Sequence, residues 1–158
     1  MIEHVIFVIL TLALIFFHKD VIVEFDPVAY GPVVEGPQTS VSFRIVTRAP
    51  PARAITVLFS TRSQSATGNA VHCKCIRVEA NGAYTYLAAL DFAPRTRFPV
   101  RFEAGDSEEL VEVAIINDGV YEGEEQFEGL LELQSGSSGV ELGQQTLATA
   151  IIRDDDGT

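Results

Sequence analysis

Basic residues are scarce in this sequence. Lys and Arg together number 11 in 158 residues, against 22 Asp and Glu, so the formal net charge is −11. Nucleic-acid binding needs clustered Lys and Arg that contact phosphates, and this balance disfavours it, as it disfavours anionic membrane surfaces. A divalent cation is the partner that such an acidic chain suits best. The alternative interpretation is a surface of solvated carboxylates that binds nothing.

Motifs of catalytic chemistry are equally scarce. Beyond residue 19 the sequence has one histidine, His72, and neither a Gly-rich phosphate loop nor a His-Glu-x-x-His motif. Residues 136–139 lack the Gly-x-Ser-x-Gly pattern of a nucleophile elbow. Paired carboxylates occur in glycosidases, but the sequence has no Trp for a sugar-binding platform. The sequence therefore predicts a protein that is not an enzyme.

Cysteine is limited to Cys73 and Cys75, which form a lone Cys-x-Cys. On a strand the two side chains would share a face, where a bond between them would be strained. A second pair that would complete a zinc site is absent from the sequence. We interpret the two residues as free thiols, or as thiols bonded to another chain or domain. Asn-x-Ser/Thr sequons are also absent, so glycosylation gives no support for secretion.

The first 19 residues differ from the rest. Residues 5–17 form an unbroken run of 13 apolar or hydroxyl residues, shorter than a membrane-spanning helix and similar in length to the apolar part of a secretory signal. No Lys or Arg precedes the run, and no small-residue cleavage site follows it. A signal peptide or signal anchor is the favoured interpretation, with an upstream truncation or an apolar first strand as alternatives. We divide the chain into a leader, 1–19, and one domain, 20–158.

From residue 20 onward, apolar and polar residues alternate in short runs. Residues 40–46 place Val41, Phe43 and Ile45 on one face, which predicts a half-buried strand. Further strands are predicted at 54–60, 98–102, 110–116, 126–133 (Phe127, Leu131 and Leu133 on one face) and 144–152 (Leu147, Thr149 and Ile151 on one face). Residues 71–90 indicate a hairpin with its turn at 81–82. No segment shows a persuasive helical period, so we predict an antiparallel β-sandwich of about seven strands.

Acidic residues gather where these strands end. They form four groups: Glu35, Asp91, the stretch 118–125, and Asp154–Asp156. Taken singly, each group would ordinarily be solvated by water. Loops that are distant in sequence can meet at one end of a sandwich, where crowded carboxylates would repel one another. Calcium takes six to eight oxygen ligands, so the four groups together predict a calcium site.

Three stretches resemble the Calx-beta family. They are IINDGVYEGEEQF (115–127), ATAIIRDDD (148–156) and ALDFAP (89–94), and the resemblance extends over about residues 21–157. It implies an immunoglobulin-like β-sandwich of seven strands that binds calcium. Family members occur as calcium sensors of sodium/calcium exchangers and as extracellular repeats of adhesion-type and basement-membrane proteins.

By this resemblance, a set of carboxylate, amide and backbone oxygens would hold calcium. The set is Glu35, Asp91, Asn117, Asp118, the carbonyl of Val120, Glu122, Glu125, Asp154, Asp155 and Asp156. Glu124 has no assigned role. Asn117 stands where exchanger sensors have an acid, which removes one charge. We therefore expect a weak site, with a dissociation constant of about 10⁻⁴–10⁻³ M, as in extracellular modules.

The resemblance favours a calcium-binding module of a larger adhesion, matrix or membrane protein. Calcium would stiffen one loop tip and the junction to a neighbouring domain, and matrix or cell-surface proteins are further expected partners. Two alternatives stay open: a structural interaction module whose acids are solvated, and a cytosolic calcium sensor of an exchanger. The favoured compartment is extracellular or membrane-associated, with a cytosolic transporter loop as the alternative.

Overall fold

The computed structural model describes residues 20–37, 39–66, 68, 75–78, 84–87, 90–117 and 122–155. These residues form eleven strands and no helix. The strands are β1 (Val21–Phe25), β2 (Ala29–Val34), β3 (Ser40–Thr47), β4 (Ile55–Ser63), β5 (Cys75–Val78), β6 (Tyr84–Leu87), β7 (Phe98–Phe102), β8 (Glu108–Ala114), β9 (Glu124–Leu133), β10 (Val140–Leu142) and β11 (Leu147–Arg153). Within these ranges, a helix able to cross a membrane by length and hydrophobicity is not found. The predicted leader, 1–19, lies outside the described residues.

Two sheets face each other across the core. One has the strand order β10-β1-β3-β8 and the other β2-β11-β9-β4-β7, which confirms the predicted β-sandwich. The hairpin predicted within 71–90 is formed by β5 and β6, which pair antiparallel outside the two sheets. Its predicted turn at 81–82 lies outside the described residues.

The strand count and some pairings differ from the prediction. The described residues have eleven strands rather than about seven, and β1, β2 and β10 had no specific prediction. β1 pairs with β10, and β2 with β11, in parallel. The sequence hides β2 because Gly31 and Pro32 lie within it, a pair that usually indicates a turn. Pro32 is tolerated because β2 is the edge strand of its sheet.

Phenylalanine rings fill the centre of the core. The ring of Phe43 lies 6.0 Å from that of Phe25, 5.3 Å from Phe59 and 5.8 Å from Phe127, centroid to centroid. All four residues are fully buried. The rings meet at tilted or edge-on angles, the arrangement that aromatic pairs prefer. The period-two alternation of β3, β4 and β9 thus places one ring from each strand on the inner face.

One predicted face and one predicted core residue need correction. In β11 the inner face carries Ala148, Ala150 and Ile152, whereas Leu147 faces outward and is 45% exposed. Small alanines suit this inner face because large phenylalanine rings occupy the neighbouring β9 and the opposite sheet. In β9, Leu133 shares the face of Phe127 and Leu131 as predicted, but it lies at the strand end and is 41% exposed.

Arg97 precedes β7 in a left-handed backbone conformation with φ of 48°. An L-residue with a Cβ pays about 1–2 kcal/mol there, whereas glycine does not. Arg97→Ala and Arg97→Gly both remove the 2.9 Å bond from Nη1 to Glu132 Oε2, so their difference isolates the backbone. We expect Arg97→Gly to be roughly 0.5–1 kcal/mol more stable than Arg97→Ala in urea unfolding. Equal stabilities would show that Arg97 bears no backbone strain.

Glu24 on β1 provides a pH-dependent contribution to stability. Hydrogen bonds from Arg48, with Nε 2.7 Å and Nη2 3.1 Å from the carboxylate oxygens, lower the Glu24 pKa more than burial raises it. A depressed folded-state pKa stabilises the protein above the unfolded value of 4.5, and this stabilisation is lost as the pH falls through the folded value. Glu24→Gln should therefore destabilise the protein by roughly 1–2 kcal/mol at pH 7, and much less at pH 3.

Urea unfolding at both pH values checks this expectation. Glu103→Gln is the matched control, because Glu103 also bonds to an arginine, Arg101, but both side chains are 62% exposed. We expect its substitution to change stability less than that of Glu24 at pH 7. A Glu24→Gln effect that is equal at pH 7 and pH 3 would contradict the assignment.

Candidate metal site

Three strand ends meet at one tip of the sandwich. In the pairing of β9 with β11, Glu124 lies opposite Arg153 and Glu125 opposite Ile152. β2 pairs with the other edge of β11, where Val34 lies opposite Arg153. The start of β9, the end of β11 and the end of β2 are therefore neighbours. The acidic residues that flank these strands lie at the same end of the sandwich.

Glu125 points inward because of the strand period. It precedes Phe127 by two residues, and both lie on the buried face of β9, with Glu125 only 6% exposed. Glu35 follows the buried Val33 by two residues in the same way, and it is 8% exposed. Its amide donates to the carbonyl of Arg153 at 3.0 Å, which extends the pairing of β2 with β11 by one step. Glu125 and Glu35 thus each lie at the end of a row of apolar side chains that face the core.

Asp91 is positioned by the aromatic residue that follows it. The ring of Phe92 is 1% exposed and stacks on Phe127, with centroids 4.1 Å apart and planes at 14°. The backbone is held by the residues that follow β8: Phe92 bridges to Ile115, and the Ile116 amide donates to the Asp91 carbonyl at 3.0 Å. These contacts leave Asp91 4% exposed at the tip.

The carboxylates of Asp91, Glu122 and Glu125 converge. Each offers an oxygen, and the three oxygens lie within 4.8 Å of one another. Ligands of one calcium ion lie about 2.3–2.6 Å from it, so two of them can be at most about 5 Å apart. The separation in this cluster, which we call the acidic cluster, satisfies that limit. A hard cation that takes oxygen ligands fits this donor set.

Asp154 connects the acidic cluster to the end of β11. Its Oδ2 accepts a 2.8 Å hydrogen bond from the amide of Glu122, so it holds the segment that carries the Glu122 carboxylate. Asp155 is exposed and lies against Gly36, where a Cβ would overlap its carboxylate. Gly36 also has a φ of 73°, which a side chain would disfavour. The sequence interpretation missed Gly36, although a glycine directly after Glu35 indicates a close approach of this kind.

Burial distinguishes this tip from the rest of the acidic surface. Of the four buried polar side chains among the described residues, three are the carboxylates Glu35, Asp91 and Glu125, and the fourth is Thr47. Burying a carboxylate is costly unless it is paired, hydrogen-bonded or bound to a metal. Glu124, in contrast, is exposed and lies 3.4 Å from Arg153, in agreement with its lack of an assigned role.

The predicted ligands thus fall into three groups. Asp91, Glu122 and Glu125 share the acidic cluster. Glu35, Asp154 and Asp155 lie at the same tip, whereas Asn117 is exposed beyond the end of β8. Asp118, Val120 and Asp156 lie outside the described residues.

The two facing sheets and the inward carboxylates at one end define an all-β, immunoglobulin-like sandwich with a candidate cation site at its tip. Residues 87–156, which include the acidic cluster, match the family model of the Calx-beta domain. The resemblance inferred from the sequence is therefore confirmed. No curated protein matches the chain.

Solved structures show the same similarity. The apo form of the Calx CBD1 domain has a TM-score of 0.65 and 25% identity, and the match covers 87% of this chain and all of that one. The calcium-binding domain CBD12 of CALX1.1 has a TM-score of 0.64 and 26% identity over 85% of this chain, which spans 46% of that structure. The Calx CBD2 domain, at 14% identity and a TM-score of 0.60, shows the fold alone.

Proposed function

We propose that this chain is a non-catalytic calcium-binding module in which Asp91, Glu122 and Glu125 hold a calcium ion at one tip. The observation that carries the proposal is the convergence of three carboxylate oxygens within 4.8 Å, two of them from buried residues. The three negative charges repel one another, and a divalent cation offsets that repulsion. The similarity to CBD12, which is a calcium-binding domain, supports the same cation.

Calcium needs more oxygens than the acidic cluster supplies, since it takes six to eight. We propose that Glu35, Asp154 and Asp155 supply some of them, because all three lie at the same tip. Asn117, Asp118, the Val120 carbonyl and Asp156 complete the proposed set on the basis of the family resemblance. Val120 would contribute a neutral dipole, and the amide oxygen of Asn117 would contribute less attraction than a carboxylate.

The proposed effect of calcium is mechanical. The ion would bridge the segment before β9, the residue before Phe92 and the residues after β11, which come from distant parts of the chain. Because β11 ends at this tip, the residues that directly follow it lie beside the site. A bound ion would therefore stiffen the junction to a following domain. Similarity to the CBD12 structures supports a neighbouring domain as partner.

The setting of the module stays a prediction. The sequence favours an extracellular or membrane-associated module with matrix or cell-surface partners, and a cytosolic loop of a transporter is the alternative. Affinity separates the two: we expect a dissociation constant of about 10⁻⁴–10⁻³ M for the first and a micromolar value for the second. A chain that binds no calcium would instead be a structural interaction module.

Isothermal titration of calcium into the full chain tests the proposal directly. Glu125→Gln keeps the shape of a buried ligand and removes its charge, so we expect calcium affinity to fall at least tenfold. Glu124→Gln is the matched control, because Glu124 is the adjacent residue, has the same charge and is exposed. We expect its affinity to stay within about twofold of wild type, since its exposed side chain lies on the opposite face of β9 and pairs with Arg153. Equal losses in both variants would refute the assignment of Glu125.

A further inference from the structure

A second concave site lies at the end of the sandwich opposite the acidic cluster. β4 begins there at Ile55, and the loop 134–139 joins β9 to β10. The amide of Val21 donates to the carbonyl of Gly139 at 2.9 Å, which places the start of β1 at the same end. A concavity of about 180 Å³ opens between Arg53 and this loop. Its polar lining comes from Arg53, Thr56, Gln134, Ser137 and Ser138.

Arg53 differs from most of the other arginines in its partners. Six arginines with described side chains form ion pairs with Asp or Glu: Arg44, Arg48, Arg62, Arg97, Arg101 and Arg153. Arg95 lies over the ring of Phe98 and donates to the carbonyl of Glu112. Within the described part of the chain, Arg53 pairs with no carboxylate. Arg53 shares this property with Arg95, but of the two only Arg53 lines the concavity.

The bonds that Arg53 does form hold it in place at the concavity. Its Nη2 donates to the carbonyl of Ser138 at 2.7 Å and lies 3.1 Å from the Ser138 hydroxyl. A guanidinium has five N–H donors in a rigid plane, so Nε and Nη1 keep donors beyond these two bonds. Gly136 has a φ of 85°, and a Cβ there would meet no atom within 4 Å, so this part of the loop is open. The geometry therefore presents a fixed cation beside serine hydroxyls.

We propose that Arg53, Ser137 and Ser138 form a binding site for a single oxyanion, namely a phosphate or a carboxylate group. The guanidinium supplies the charge and a planar fork that matches either group, and the hydroxyls supply further donors. The net charge of −11 opposes any anion, so binding is weak and depends on ionic strength. The site is independent of the acidic cluster, which lies at the other end and takes the opposite charge.

Two-dimensional ¹H–¹⁵N NMR titration of the full chain with inorganic phosphate tests this site. The experiment uses calcium-free buffer, with sodium chloride exchanged for phosphate so that ionic strength stays constant. We expect saturable shifts of the Arg53 Nε–H signal and of the Ser137 and Ser138 amides, with a millimolar dissociation constant. A parallel titration with acetate distinguishes the two sources: stronger binding of phosphate indicates a phosphate group, and equal binding indicates any oxyanion, carboxylates included.

Variants distinguish specific phosphate binding at Arg53 from nonspecific attraction of phosphate to positive charge. Arg53→Gln is expected to weaken phosphate binding at least tenfold, and Arg53→Lys, which keeps the charge but not the fork, by a smaller factor. Arg97→Gln is the matched control, since Arg97 is already paired with Glu132, and it should bind as wild type does. Ser138→Ala keeps Arg53 and the backbone carbonyl that it bonds to, and removes only the hydroxyl. We expect it to weaken phosphate binding severalfold. Shifts that do not saturate, or that Arg53→Gln leaves unchanged, would overturn the proposal.

Discussion

Calcium at 10 mM is expected to raise the midpoint of thermal unfolding of this chain by roughly 5–10 °C. An ion that binds only the folded state stabilises it by RT ln(1 + [L]/Kd), which is about 2.7 kcal/mol at 100 times the dissociation constant. A dissociation constant of about 10⁻⁴ M, within the range expected for this site, gives that excess. A domain of about 150 residues gains roughly 2–4 °C for each kcal/mol. Calorimetric scans at 0, 1 and 10 mM calcium measure the shift.

Two controls test whether calcium bound at the acidic cluster causes this shift of the unfolding midpoint. Asp91→Asn with Glu125→Gln removes two of the three charges of the acidic cluster without removing volume. We expect this double variant to lose most of the calcium response, because two of the three charges that attract the ion are gone. Magnesium should act less strongly, since it demands octahedral geometry at about 2.0–2.1 Å. A wild-type midpoint unchanged at 10 mM calcium, or a full response in the double variant, would contradict the proposed site.

Strand period is the part of the structure that the sequence predicts best. Val41, Phe43 and Ile45 alternate with polar residues, and all three are buried on one face of β3. Glu125 lies two residues before Phe127 on β9 and therefore shares its face. Once Phe127 is placed in the core, the alternation predicts that the Glu125 carboxylate also points inward. A residue two positions from a buried aromatic shares its face, whatever its polarity.

Edge strands and faces of small residues are predicted less well. β2 contains Gly31 and Pro32, and β10 has only three residues, so neither shows a clear period. Their parallel pairing to β11 and β1 is a property of the whole sandwich rather than of a local pattern. In β11 the sequence offers two apolar faces, and only the size of the opposite rings decides that Ala148 and Ala150 face inward.

For the candidate site as well, one part could be predicted from the sequence and another could not. Its acidic residues could be named from the sequence, by their position at strand ends and by resemblance. What the sequence could not give is the distance between Asp91 and the segment 122–125, since the two are about 30 residues apart in the chain. That distance depends on the stack of Phe92 on Phe127, a contact between residues 35 positions apart in the chain.

Replacing Phe92 is therefore expected to affect both stability and calcium binding. Its ring is 1% exposed and stacked on Phe127, so Phe92→Ala should cost about 3–5 kcal/mol through lost burial and a cavity. Asp91 would lose the anchor that directs it into the acidic cluster, and we expect calcium affinity to fall by about tenfold, or roughly 1.4 kcal/mol. Phe92→Leu, which fills more of the cavity, should lose less of both and remain folded for titration.

Phe102→Ala separates the two effects. Phe102 is also fully buried, but it pairs with Ile55 on β4, at the end away from the acidic cluster. Its loss should cost a similar amount of stability in urea unfolding, while the calcium affinity of the folded fraction stays close to wild type. Phe98→Ala, at a position 40% exposed, should cost less than about 1 kcal/mol. If Phe92→Leu and Phe102→Ala changed calcium affinity equally, the Phe92–Phe127 stack would act only on global stability, and the proposed anchoring of Asp91 would be wrong.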